Sequence, residues 1–438
     1  MTQPELCGAD HRGDDRSSVV NGVVVHGLPP DWHPQYIPTL TALQNAAGAA
    51  VDRATVTVLL LRDAPVLLCE RLEDIAGVIH AALPVDGPHQ ARAIRLGLEL
   101  DATLWMRSGK LEIWRNLILA MLAAASRLGD RALLGRVYRD WATYLYLTEQ
   151  RPGAHRALQA ALEYARASGD EGLILLLLAE RLYLAIGRVS IETLQARGLA
   201  IVRLACHRRE YFTAARALLA LARACRIALL PEPSFAYGQQ ALVVLHVLGL
   251  RDLIDQALHF MLFALQIEGA PSSAGYRAAL LRRLDALHAQ EGYPWLREMT
   301  ALQHALYAYH AGQYDEARHW ALIAYAACRA KGLERDCLRI RHLLGLIAGQ
   351  RGRYAAAERH LQAVWVYTEA HQYREWMVRI QIGRASVRVS AGDHAGAWIE
   401  LERARELAGM LPAGQVRDVR VRWVEMWGER LQRCSAAR

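Results

Sequence analysis

Gly312-Gln313-Tyr314-Asp315-Glu316-Ala317 returns as Gly352-Arg353-Tyr354-Ala355-Ala356-Ala357 and again as Gly392-Asp393-His394-Ala395-Gly396-Ala397, each copy forty positions after the last. The chemistry of the three copies is shared. A glycine closes one helix because that position needs a left-handed backbone, which glycine adopts cheaply. The ring two residues later packs over the turn, and the alanine five residues later marks where the next helix crosses. Ala305, Gly345 and Ala385, each seven residues before its turn glycine, keep the preceding helix equally small at that crossing. Ala157, in Pro152-Gly153-Ala154-His155-Arg156-Ala157, stands four periods before Ala317, and Gly129-Asp130 returns one period on as Gly169-Asp170. Gly109-Lys110 reads as another turn of this kind. The spacing predicts an all-α helical-repeat superhelix, a right-handed α-solenoid of antiparallel helix pairs. Its turns are pinned at Gly109, Gly312, Gly352 and Gly392, and its crossings at Ala157, Ala317, Ala357 and Ala397.

The rest of the 438 residues can supply such an array, being 53% hydrophobic and 22% charged. Beyond Pro88 only Pro152, Pro231, Pro233, Pro271, Pro294 and Pro412 remain, and each should fall in a turn or in the first turn of a helix. Roughly twenty helices of about 14 to 20 residues fit the helical period. The pattern predicts a lead over 1–35 without helical period, a helical cap over 36–86, the repeat array over 87–432 and a tail over 433–438. Within the lead, Val19-Val20-Asn21-Gly22-Val23-Val24-Val25 has the Asn-Gly chemistry of a tight hairpin. Thr55-Val56-Thr57-Val58 admits a strand by composition, although a buried helix ending before Pro65 suits its neighbours better.

The net charge is +8, with residues 1–85 at −5, so the body beyond them is basic and favours acidic partners. Only Lys110 and Lys331 of the 52 basic residues are lysine, a uniform bias that says little about arginine's bidentate chemistry. Cys7, Cys69, Cys206, Cys225, Cys328, Cys337 and Cys434 form no C-x-x-C pair, which argues against a zinc ribbon and for free thiols. His304 and His310 are out of phase for one ligand face, and adjacent Cys206 and His207 point apart, so no metal is expected. Around Lys110, Leu104 and Leu111 stand where a phosphate-binding loop needs its glycine and hydroxyl, so neither a nucleotide cofactor nor an enzyme is expected. No apolar leader occupies Met1 to Asp15, and the most apolar run, Leu173 to Ile186, is broken by Glu180 and Arg181. The chain therefore reads as cytoplasmic, with no membrane partner.

The turns and small crossing residues resemble the tetratricopeptide repeat, two antiparallel helices joined by a Gly-x-Tyr-x-x-Ala turn. The resemblance is good over 295–410, fair over 87–170 and weak over 190–290. This unit is longer than the familiar one of about 34 residues, and Arg329, Glu369 and Gly409 stand where the closing proline would be. Leu104-Trp105-Met106-Arg107-Ser108-Gly109-Lys110-Leu111-Glu112-Ile113-Trp114, leading to Ser126-Arg127-Leu128-Gly129-Asp130, is similar to the sensor arrays of bacterial signal-transduction ATPases of the NB-ARC type. That resemblance implies a groove lined by the first helix of each pair. Counting back from the turn glycine selects Met299, Leu302, Leu306, Tyr309 and His310 in one unit. The next gives Arg339, His342, Leu346 and Gln350, and the third Arg379, Ile382 and Ser386, with Arg422 extending the row of Arg339 and Arg379. The implied function is a protein-interaction scaffold that takes an acidic or amphipathic segment of another protein, with a sensor or adaptor for a separately encoded ATPase or effector as the alternative. A further alternative comes from Arg374, Arg379, Arg384 and Arg388 around Trp376, and Arg417, Arg420 and Arg422 beside Trp423 and Trp427. Basic residues interleaved with rings can bind single-stranded nucleic acid, unless these arginines pair with the acids of the same segment.

Overall fold

A computed structural model of the chain describes residues 18–20, 23–25, 40–61, 65–100, 102–148, 150–268, 274–291, 297–411 and 415–436. Strands β1 (Ser18–Val20) and β2 (Val23–Val25) pair antiparallel with Val20 opposite Val23. Asn21, Gly22 and most of the lead lie outside the described residues. Helices α1 (Leu40–Leu61), α2 (Pro65–Ala82), α3 (His89–Glu99) and α4 (Ala102–Ser108) follow, so Thr55 to Val58 are helical. Next come α5 (Leu111–Leu128), α6 (Arg131–Leu147), α7 (Arg151–Ser168), α8 (Glu171–Ala185), α9 (Ile191–His207) and α10 (Tyr211–Ile227). After these stand α11 (Pro231–Leu248), α12 (Arg251–Glu268), α13 (Ala274–Glu291), α14 (Arg297–His310) and α15 (Tyr314–Ala330). The last are α16 (Glu334–Gln350), α17 (Tyr354–Ala370), α18 (Arg374–Ser390), α19 (His394–Gly409) and α20 (Gln415–Ala436). The end of α20 takes in most of the expected tail. Pro152, Pro231 and Pro233 sit in first turns, where a missing N–H costs nothing. No helix among the described residues is long and apolar enough to cross a membrane.

From α4 onward the helices form two layers. Each even-numbered helix up to α20 touches the next even-numbered one, while the odd-numbered helices fill the spaces behind. Among the described residues, odd-numbered helices from α5 on make no contact with one another of that extent. The even row is thus the tighter, inner side of the curve, and in each pair it supplies the first helix. The coil also approaches itself: a Cβ on Gly109, in the α4–α5 turn, would stand 3.9 Å from the backbone oxygen of Lys331, between α15 and α16.

The turns work as their sequence requires. Gly312, Gly352 and Gly392 have φ of 76°, 71° and 76°. After each, the next residue's N–H reaches back to a helix carbonyl in the preceding turn: Gln313 to Ala308, Arg353 to Ala348 and Asp393 to Arg388, all at 2.9 Å. Each glycine N–H takes the inner carbonyl, as in Gly352 to Gly349 at 3.0 Å, which completes a Schellman cap. At the crossing, a Cβ on Gly345 would meet Leu361 at 3.0 Å and the Ala357 carbonyl at 3.3 Å, so α16 and α17 touch where small residues allow it. Ala317, Ala357 and Ala397 are fully buried. The Gly-Asp landmark has two jobs. Gly129 and Gly169 close α5 and α7 in the left-handed region, and Asp130 and Asp170 cap the next helix by accepting from Leu133 and Leu173.

Left-handed residues also expose a slip in the count. Gly129, Gly169, Arg209 and Gly249 each end an odd-numbered helix at intervals of one period, and Gly332 and Gln372 do the same further on. The step from Gly249 to Gly332, however, is two periods plus three positions. The extra three fall between Gly249 and Gly312. Ala154 lies fifteen positions before Gly169, just as Ala317 precedes Gly332 and Ala357 precedes Gln372. Ala154, fully buried, therefore holds the crossing that the forty-position count assigned to Ala157. That count ran across the slip, and Ala157 is buried one turn further along α7. At the same position before Gly249 stands Ser234, whose hydroxyl donates to the Ala222 carbonyl on α10 at 2.9 Å.

Candidate functional site

The expected groove residues divide into three groups. Met299, Leu306, Tyr309, Leu346 and Gln350 are half-buried and His310 is exposed, all on the inner helices α14 and α16. Leu302 and Ile382 are 1% and 4% exposed and belong to the core. Their place in the helix turns toward the neighbouring helices, so the open stripe is narrower than the phase suggested. Ser386 is buried as well, at 7%.

The arginine row also changes. Arg339 pairs with Asp336 on its own helix at 3.2 Å. Arg379 stacks 4.6 Å from the Trp376 ring centre and 5.6 Å from that of Trp423, and Arg420 packs on the other approach to Trp423 at 5.2 Å. One period after Arg379 stands Val419, 6% exposed, rather than Arg422. Arg422 instead shares a shallow depression with Arg417, Asp418, Val421 and Glu425, all on α20. Further along, Arg384 pairs with Glu358, and Arg388 with Asp393 and Glu400. Gln350 bridges units by donating to Ser390 at 2.9 Å. Burial and the nearby Arg379 push His342 down to about 4, so its ring is neutral at pH 7 and donates from Nε2 to the Arg379 carbonyl at 3.2 Å. Lys110 pairs with Glu73 at 2.9 Å and bonds the Cys69 carbonyl, which makes it a tie to α2. Among the described residues no group of three or more His, Cys, Asp or Glu could hold a metal ion.

Carried back across the slip, by two periods plus three positions, the groove phase of α14 lands on Arg216, Leu219, Arg223, Arg226 and Ile227 of α10. From Thr213 to Cys225 every residue of α10 is buried except Arg216 and Arg223, and Arg226 and Ile227 follow, half-open. A helix of alanine and leucine thus shows the inner face almost nothing but arginine. The weak resemblance over 190–290 hid it, because Arg209 and Leu229 occupy left-handed turns where glycine would have revealed the period. The one-period step from Gly129 to Gly169 was the signal that could have found it.

Rings from the flanking inner helices meet these arginines. Arg216 lies 5.0 Å from the Tyr183 ring centre, and Arg223 lies 5.6 Å and 5.9 Å from Tyr146 and Tyr183. Arg226 faces Phe260 and Phe263 at 5.9 Å and 5.0 Å. Glu180 takes Arg216 in a two-pronged pair, both bonds 2.9 Å, and Asp140 takes Arg139 at 2.8 Å. Asp140 beside it raises the Arg139 guanidinium further above its ordinary value, against the opposing effect of burial. Burial pushes the Tyr183 hydroxyl up to about 12. The face therefore presents guanidinium groups set against aromatic rings.

No protein-family model matches the sequence, and no curated protein matches it. Among solved structures the fold is similar to a Rap protein complexed with Competence and Sporulation Factor, at 12% identity, over 89% of this chain and 99% of that one, with a TM-score of 0.45. It is similar to aspartyl phosphate phosphatase F from Bacillus subtilis at 12% identity, over 87% and 96%, with a TM-score of 0.49. A third likeness, at 12% identity and a TM-score of 0.43, is to a signal transduction ATPase with numerous domains from Pyrococcus horikoshii, which carries a tetratricopeptide repeat sensor. It covers 76% of this chain and 52% of that one. These likenesses concern the stacking of paired helices. On its own turns, crossings and two-layer packing, the chain is a tetratricopeptide-like helical-repeat protein.

Proposed function

We propose that the chain is a non-enzymatic scaffold whose concave inner face captures an acidic or amphipathic segment of a partner protein. The observation that carries this reading is α10, whose inward positions are arginines on an otherwise buried apolar helix. Half-buried arginines on such a helix give up part of their hydration, a cost that an acidic partner offsets. Aromatic walls from α6, α8 and α12 add the flat apolar contact that favours an extended or helical guest. The half-open Met299, Leu306 and Leu346 continue the surface as an apolar strip on α14 and α16.

A photo-crosslinking residue at Ile227 or Leu306 tests this reading against one at Val366, which is exposed on the outer helix α17. Inner positions should trap one partner through Asp- or Glu-containing peptides, and Val366 should not. Equal trapping from both faces would place the binding surface elsewhere.

A further inference from the structure

On the reading that the inner face is the binding surface, we propose that Arg223, set between Tyr146 and Tyr183, is a subsite for one carboxylate. Its source is an aspartate or glutamate side chain of the partner segment. Among the described residues no carboxylate pairs with Arg223, and its buried Nε has no hydrogen-bond partner. The Tyr183 hydroxyl is also unpartnered, on a residue only 7% exposed. Buried polar groups are nearly always satisfied, and a half-buried cation with no counter-charge has lost hydration that nothing replaces. Two unpartnered buried donors in one contact cluster on a concave face suit an acceptor carried by a guest.

The surrounding charge limits what that acceptor is. Glu180 engages Arg216 and Asp140 engages Arg139, so within the Tyr146–Tyr183 cluster the uncompensated charge is that of Arg223. A carboxylate balances it. A phosphate dianion brings a second negative charge toward Glu180. The guanidinium fork matches a planar two-oxygen acceptor, and the Tyr183 hydroxyl, protonated throughout the neutral range, supplies a further donor.

The test uses the full chain and simple probes. Sodium acetate exchanged for chloride at constant ionic strength should raise the melting temperature saturably. Arg223→Met should abolish that rise and leave the ligand-free melting temperature about equal, because it removes a half-buried charge that no carboxylate holds and keeps an apolar chain against the rings. Tyr183→Phe should weaken the response. A hexaglutamate peptide should bind the wild type and lose roughly tenfold or more in affinity on Arg223→Met, while hexaglutamine should not bind. An unchanged acetate response in Arg223→Met, or a ligand-free melting temperature several degrees lower, overturns the site and makes the arginine a structural staple. A stronger response to inorganic phosphate than to acetate overturns the carboxylate assignment. Acetate binding through Arg223 without hexaglutamate binding overturns the partner segment as its source. Inner-face crosslinking that is unaffected by Arg223→Met sinks this subsite and leaves the scaffold standing, whereas an acetate response that depends on Arg223 with no inner-face crosslinking at all sinks the scaffold alone.

Discussion

Arg216 on α10 and Arg379 on α18 occupy the same place in the repeat, on opposite sides of the slip, yet they meet different neighbours. Arg379 is enclosed by Trp376 and Trp423, and Arg216 is held by Glu180 across the helix row. Arg379, Arg384 and Arg388 fasten α18 to its neighbouring helices. Beside α10 the Glu180 carboxylate is used up by Arg216, which leaves Arg223 facing inward. Repeat position thus says where a side chain points, while its neighbours decide whether it is held by the protein itself or left open.

The largest effect should come from the crossings, which both regions share. Ala154→Trp and Ala357→Trp should each destabilise by about 3 kcal/mol or more through overpacking, measured by chemical denaturation. A small loss at Ala154 alone would break the equivalence across the slip.

Histidines sharpen the contrast next. His259 and His342 also share a repeat position across the slip. Burial lowers His259, but Asp255 outweighs it through charge and hydrogen bonding and leaves the ring raised, while burial and Arg379 hold His342 down near 4. The unfolded chain takes up a proton at His342 near pH 6.5 that the folded state resists until about pH 4. Stability tied to His342 should thus fall across that window by about 2 kcal/mol, allowing for its partial contact with solvent. His259 has the opposite sign: its contribution is complete below about pH 6.5 and is lost as pH rises through its raised folded value. His342→Gln should flatten the acid limb and His259→Gln the alkaline one. The same pH profile in both variants would contradict the assignment.

Charge reversal should separate the two uses of arginine. Arg379→Glu should lower stability by about 1–2 kcal/mol by breaking its stack with two tryptophans, and Arg339→Glu should cost less. If neither affects folding, Arg379 is not a fastener and returns to the groove.

Turns give the smallest effect. Leu229 sits at φ 57° where Gly109 serves three periods earlier, so Leu229→Gly should stabilise by about 1 kcal/mol. Gly352→Ala should cost about the same. Matching melting curves will show both, and a loss on Leu229→Gly would mean that its side chain packs more strongly than its backbone strains.

Much of the fold was legible because a turn glycine is a backbone requirement, visible wherever glycine meets it. It became illegible where Arg209, Leu229 and Gln372 meet the same requirement with other residues. The candidate site suffered twice. Periodicity selected Leu306 and Leu346, which are half-buried, but it could not tell that Leu302 and Ile382 face neighbouring helices. The slip then concealed that the same phase runs through Arg216, Arg223 and Arg226. Which arginine meets a carboxylate is a matter of three-dimensional neighbours, since Glu180 and Arg216 lie on different helices.

On the proposed reading of the inner face, the approach of Gly109 to Lys331 bears on how a guest would arrive. While those two turns stay together, a loop anchored at both ends has no sideways path onto the inner helices between them. A free tail can be fed in end-on, at rates limited by encounter. A loop would have to enter doubled back on itself or wait for the coil to part there, and either route slows association without altering the contacts finally made. The timing of capture would then distinguish tails from loops even where their chemistry is the same.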